Sequence, residues 1–227
     1  MSKRIGILGG ISHESTAKYY ELILKKYFDE FGNYYYPEIV IFSLDFQKFT
    51  DYEDTNDIEG YLSYILEGIH GLEKSEVDFI IIAANSPHAV FESVKEKAKV
   101  PVLSIAEITA ENARQQGLKK LLLLGIKFTM QSDFYQNICS AKGIEVITPD
   151  AGEQDTVNRI IFDQLCVGNL AEYSKRRLLE IIDNYDVEGV ILGCTELPLI
   201  LHQEDSDKRF LNTLKLHTEA ALEYALE

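Results

Sequence analysis

Positive charge is scarce in this 227-residue chain: 22 Lys and Arg stand against 37 Asp and Glu, a formal net charge of −15. Nucleic acids and anionic membrane surfaces both demand concentrated positive charge, so neither is an expected partner. Because a local pocket can oppose the global sign, the deficit does not name a ligand. Long apolar runs are also missing. The longest, such as Phe79–Ala84 and Leu121–Gly125, fall far short of a bilayer's thickness. No secretory leader is read at the N-terminus, where Lys3-Arg4 lead into a short strand-like segment and Gly9-Gly10. Cysteine is rare too. Cys139, Cys166 and Cys194 are odd in number, far apart and without CxxC spacing. That argues against a disulfide framework or a zinc site, and a cytoplasmic protein is the expectation. Nor is there a GxGxxG, since positions 12–15 read Ser-His-Glu-Ser, and no Walker lysine follows. A nucleotide cofactor is disfavoured, and neither cofactor nor metal is expected.

What remains is ordinary globular composition, 46% hydrophobic and 26% charged. Short β-rich runs alternate with amphipathic stretches. Strands are expected at Ile5–Leu8, Glu38–Ser43, Phe79–Ala83, Val100–Ser104, Lys120–Gly125, Ile144–Ile147 and Gly189–Leu192. A helix opens at Ser15-Thr16 and runs to about Phe31, with Tyr19, Tyr20, Ile23, Leu24 and Tyr27 at helical spacing, and another covers Ile58–Lys74. Leu44–Asp57 has no clear period and reads as a loop. Strand and helix in alternation predict an α/β fold of parallel βαβ units. An internal repeat sharpens this. Val77 to Ser86 aligns without gaps on Val187 to Glu196, and Lys3 to Gly9 matches Lys119 to Gly125, each pair separated by about half the chain. Buried parallel strands resemble one another, but two ordered pairs at near-equal offset favour duplication. Two pseudo-symmetric Rossmann-like lobes, each with a mostly parallel sheet, would then bind a ligand in the cleft between them, at strand C-termini carrying small polar residues.

Two equivalent strand ends suit a nearly symmetric reaction, such as moving a proton off one face of a carbon and onto the other. Thiolates serve as bases for such work because their acidity is readily tuned. Cys194 lies where a strand ends and Thr195-Glu196-Leu197-Pro198 begins a turn or helix, whose N–H groups would favour the thiolate. Buried free cysteine is also a common core filler, the expected role of Cys139 and Cys166. Asn85, Ser86 and Thr195 can hold an α-carboxylate and α-amino group, or cap the helices that follow. His88 and His217 sit in helical patterns and are as suited to a structural role as to tuning a thiol.

Five segments together resemble the aspartate/glutamate racemases, which are cofactor-independent amino-acid racemases. They are Gly9 to Thr16, Ala84 to His88, Leu124 to Met130, Gly193 to Glu196 and Leu216 to Ala221, in family order and spacing. The branch most similar is the broad-specificity one, matched at Ser43 to Phe46 and Ile161 to Cys166. The resemblance implies a first lobe of residues 1–100 completed by a C-terminal helix over 208–227, a second lobe of 101–207, and a homodimer. It assigns Cys194 as a catalytic thiol aided by Glu196 and His88. It implies substrate contacts by Ile11, Glu53, Asn85, Ser86, Thr129 and Thr195, and an amino acid or other carboxylate compound as ligand.

The departures carry as much information. The family's first thiol is absent: Ala84 occupies that position and has no proton to give. Cys166 replaces the lysine of aspartate-specific members, and Lys48 or Lys127 are the residues able to restore a positive charge. Poor discrimination for aspartate and a preference for neutral or larger side chains follow as expectations. Two readings stay open: a racemase or epimerase of small amino acids working by α-proton transfer, or a homologue that binds such ligands without turnover.

Overall fold

The runs expected as strands all become strands of two four-stranded sheets. The computed structural model describes residues 2–55 and 57–227. The chain divides into two units, Met1–Ile105 with His217–Glu227, and Ala106–Leu216.

In unit 1 the strands β1 (Ile5–Gly9), β2 (Ile39–Ser43), β3 (Phe79–Ile82) and β4 (Val102–Leu103) lie in the order β2-β1-β3-β4, all parallel. Ile7 faces Ile41 on one side and Ile81 on the other. Every residue of β1 and β3 is buried, as covering both faces of a parallel sheet requires. Each large aliphatic side chain so buried contributes roughly 1.5–3 kcal/mol, which sets these two strands at the sheet's centre. Four helices complete the run: α1 (His13–Phe31), α2 (Phe46–Thr55), α3 (Ile58–Glu73) and α4 (Phe91–Lys97).

Unit 2 follows α5 (Ile105–Gln115) with β5 (Lys120–Leu124), β6 (Glu145–Ile147), β7 (Gly189–Leu192) and β8 (Arg209–Asn212), ordered β6-β5-β7-β8 and again parallel. Its helices are α6 (Lys127–Gln131), α7 (Phe134–Ser140), α8 (Ala151–Asp163) and α9 (Glu172–Asp183); α10 (Thr213–Leu226) ends the chain. Leu122, Leu124, Val190 and Leu192 pack with Val157 and Ile161 of α8 and with Leu178 and Ile182 of α9. In each sheet the first strand is internal, the second lies outside it, and the third and fourth follow on its other side. The sequence repeat thus has a counterpart in topology.

Two expectations are corrected. The stretch expected as a loop over Leu44–Asp57 contains α2, a polar helix in which only Phe49 is buried. Arg209–Asn212, expected to be helix, is an edge strand paired with β7, because only its Leu211 is buried and no helical period shows. Unit 2 runs to Leu216, inside α10, and His217–Glu227 belongs to unit 1. The first helix forms as expected, and the buried face of α1 includes Tyr19, Ile23 and Tyr27, with Tyr20 45% exposed.

The Gly9-Gly10 pair has a steric reason. Gly10 has φ of +82°, and a Cβ there would collide with the backbone of Leu44; one on Gly9 would collide with the Thr16 side chain. The turn after β1 is therefore pressed against the turn after β2. Thr16 closes it, its hydroxyl accepting from Gly10 N–H at 2.8 Å and donating to the Ser12 carbonyl at 2.8 Å. Ser12 caps α1 by accepting from Ser15 N–H.

Candidate active site

In unit 1 the C-terminal end of β3 runs into Ala84, Asn85 and Ser86, all nearly inaccessible, and then into a 3-10 turn over Ser86–Val90. Ser15 at the start of α1 donates to the Ala83 carbonyl at 2.6 Å and fixes this strand end. Asn85 makes no side-chain cap, so the helix N-terminus expected to bind an anion here is one short turn without that bond. The Ser86 hydroxyl instead joins Glu53 and Tyr61 in one hydrogen-bonded cluster. Tyr61, almost wholly buried on α3, donates to Glu53 Oε1 at 3.0 Å. Burial dominates over these bonds and, with help from the neighbouring Asp54 charge, pushes the Glu53 carboxyl up to about 7.

Ile11, also expected as a contact, is buried in the turn after β1. His88 is buried and its Nε2 accepts from Ile105 N–H at 3.2 Å, so Nδ1 carries the proton and donates to the Asn85 carbonyl at 3.2 Å. His217 is equally buried, between Tyr19 Oη at 2.9 Å and the Leu103 carbonyl at 3.2 Å. Desolvation lowers them to about 4 and about 3, so both are neutral near pH 7. Their geometry is that of tethers between elements of unit 1.

In unit 2, β7 ends at Gly193 and Cys194. Cys194 Sγ donates to Glu196 Oε2 at 2.8 Å, and Thr195 Oγ1 donates to the same oxygen at 2.8 Å. Glu196 is buried, whereas Cys194 and Thr195 are half-buried. The expectation of a favoured thiolate is overturned. Burial and the Glu196 charge raise the Cys194 thiol well above its ordinary value, and only a 3-10 turn, Leu197–Leu199, follows in place of a helix. The resting group is a thiol hydrogen-bonded to a carboxylate. Nearby, Thr129 on α6 packs against Gly125 at the end of β5, and its Oγ1 is fully buried without a hydrogen-bond partner. Such an orphaned hydroxyl costs about 1–3 kcal/mol unless something accepts or donates to it.

Residues 8–221 match the Asp/Glu/hydantoin racemase family. The chain belongs to it. Over 209 residues it is 29% identical to the broad specificity amino-acid racemase RacX of Bacillus subtilis (strain 168), covering 89% of each chain. Among solved structures, an aspartate racemase homologue from Pyrococcus horikoshii OT3 is 38% identical with a TM-score of 0.86, covering 99% of this chain and all of its own. A candidate Asp/Glu racemase from Yersinia pestis is 32% identical with a TM-score of 0.90 and the same coverage.

In this racemase-family chain the two cations thought able to restore positive charge are both engaged elsewhere. Lys48 Nζ lies over the Tyr64 ring, 4.1 Å from its centroid, and Lys127 Nζ pairs with Asp155 at 2.6 Å. Of the other cysteines, Cys139 is buried in α7, where desolvation raises it to about 11, and Cys166 packs on the unit 2 core. Sequence reasoning missed Tyr61 and Ser15. The signal for Tyr61 was present, since it precedes Ile65, Ile69 and Leu72 on the buried face of α3.

Proposed function

We propose that this chain is a cofactor-independent amino-acid racemase or epimerase in which Cys194 is the one remaining thiol base. The observation that carries the reading is the Cys194–Glu196 pair, a protonated thiol held on a carboxylate at a strand end within a matched family segment. In this mechanism the pair shares one proton. With the proton on Glu196, the thiolate removes a Cα hydrogen; with it on sulfur, the thiol returns one to the same face. Asn85, Ser86, Thr129 and Thr195 hold the α-carboxylate and α-amino groups, and the unpartnered Thr129 hydroxyl supports that role. Exchange on the other face, where the family has its first thiol, would fall to water because Ala84 offers no acid.

Incubating the protein in D₂O with single enantiomers of common amino acids should deuterate Cα of one enantiomer faster than it racemises. Ala84→Cys should raise racemisation by about 10²–10⁴-fold, the usual contribution of one acid–base group. No α-deuteration of any amino acid sinks the enzymatic reading.

Ala84 itself favours the second reading, a homologue that binds amino acids or other carboxylates without turnover. Under it, ligands bind but Ala84→Cys restores nothing. The cytoplasm and a homodimer belong to the same proposal. Three free cysteines support the first, and the exposed Tyr34 and Tyr35 (77% and 84% accessible) support the second. Among the described residues no helix is long and apolar enough to cross a membrane.

A further inference from the structure

Of the acidic side chains on α2, Glu53 alone is drawn inward. Asp51 faces out and accepts from Gln47 at 2.8 Å, whereas Glu53 meets Tyr61 and Ser86. A carboxylate offers about four acceptor positions, and two hydroxyl donors leave capacity for a third group. Among the described residues no Lys, Arg or His pairs with Glu53; the nearby charge is another carboxylate, Asp54. The closest basic side chain on the same helix, Lys48, is held over the Tyr64 ring. A half-buried carboxyl beside the candidate substrate residues, with no cation supplied by the described residues, is costly when ionised. A ligand cation would remove that cost, and an acidic ligand side chain would add to it.

We propose that Glu53, set by Tyr61 and Ser86, is the specificity residue of the site and takes the terminal ammonium or guanidinium of a basic amino-acid side chain. This rests on the amino-acid reading above and names its substrate class. It replaces the expected preference for neutral side chains. Asn85 and Ser86 meet the α-groups, and Glu53, arriving from a separate element, meets what extends beyond them. Tyr61 is a positioning residue: its hydroxyl directs the carboxylate without touching the ligand.

The test uses shape-matched pairs, so that only the terminal charge differs. Calorimetric titration of the full-length protein compares L- and D-arginine with the corresponding citrulline, and lysine with norleucine, alongside glutamate and aspartate. In the wild type the basic member should bind at least about tenfold tighter than its neutral partner, as one charge-assisted contact gives, and the acidic pair weakest. In Glu53→Gln the ratio should fall to near one while the neutral ligands still bind. Equal binding of arginine and citrulline by the wild type overturns the inference and leaves the amino-acid site standing. So does a preference that survives Glu53→Gln. Failure of every amino acid to bind overturns the site reading and the inference together.

Discussion

A half-buried carboxyl that resists ionisation leaves a thermodynamic mark of its own. The Glu53 carboxyl is held near 7 in the fold against about 4.5 unfolded, so the folded state binds the extra proton. Its ionisation therefore destabilises the fold progressively as pH rises from about 4.5 to 7, and fully above that. Glu53→Gln should leave stability at pH 4.5 unchanged and raise it at pH 8 by about 1–3 kcal/mol, discounted for partial exposure. Urea midpoints at the two pH values check this, and a loss of stability at pH 8 counts against it. Cys194 gives a second mark. Because burial and the Glu196 charge together hold its thiol protonated, removing that charge in Glu196→Gln should speed alkylation of Cys194 by iodoacetamide at pH 8 by about tenfold. Peptide mapping separates that from Cys139, which burial protects in both proteins. Cys194 stood out in the sequence by motif, and Glu53 only through the family resemblance. Their protonation was not legible there, since it depends on how deeply each is buried and on partners such as Tyr61 eight positions away.

At the scale of elements, strands buried on both faces were the legible part. Phe79–Ile82 and Leu121–Leu124 consist of apolar residues with no alternation, and their burial follows from that pattern. The helix α2 was hidden because Phe-Gln-Lys-Phe-Thr-Asp-Tyr-Glu-Asp-Thr buries one residue fully, and a single anchor gives no period. The edge strand β8 was hidden likewise, with Leu211 its one buried side chain. The glycines were legible as turns and not as a contact. Gly10→Ala should destabilise by at least about 2 kcal/mol, because positive φ and the Leu44 backbone both oppose a Cβ. Gly117→Ala, with φ of +76° and open space around it, should cost about 1 kcal/mol. Thermal melts of the two variants compare them, and equal shifts would remove the close approach from the explanation.

For the whole molecule, acid is the condition that exposes what unit 1 conceals. His88 and His217, lowered to about 4 and about 3, take up protons readily only when unfolded. Their contribution is complete above about pH 6.5 and is lost as pH falls towards 4, each at up to about 1.4 kcal/mol per pH unit. Glu53 works in the opposite sense between about 4.5 and 7. The wild type should therefore lose stability over this window with a net uptake of about one proton on unfolding, and Glu53→Gln with about two. Stability measured at half-unit steps of pH gives that slope directly. The duplicated strand order was legible as a sequence repeat, but the course of residues 208–227 was not, since an edge strand precedes the final helix.

The return of that final helix sets the order in which the chain can gain its structure. Unit 2 is one continuous segment, whereas unit 1 is interrupted by all of it. Tyr19 and His217 meet across 198 positions, and Lys3 reaches the Tyr224 carbonyl across 221. Contacts so remote in sequence carry a large loop-closure cost until the intervening segment has contracted. Collapse of unit 2 shortens that span from within, so the inserted half acts as a kinetic clasp for the half that surrounds it. In a refolding experiment, amide protection should therefore appear along β5 and β7 before Tyr224 closes over Phe79.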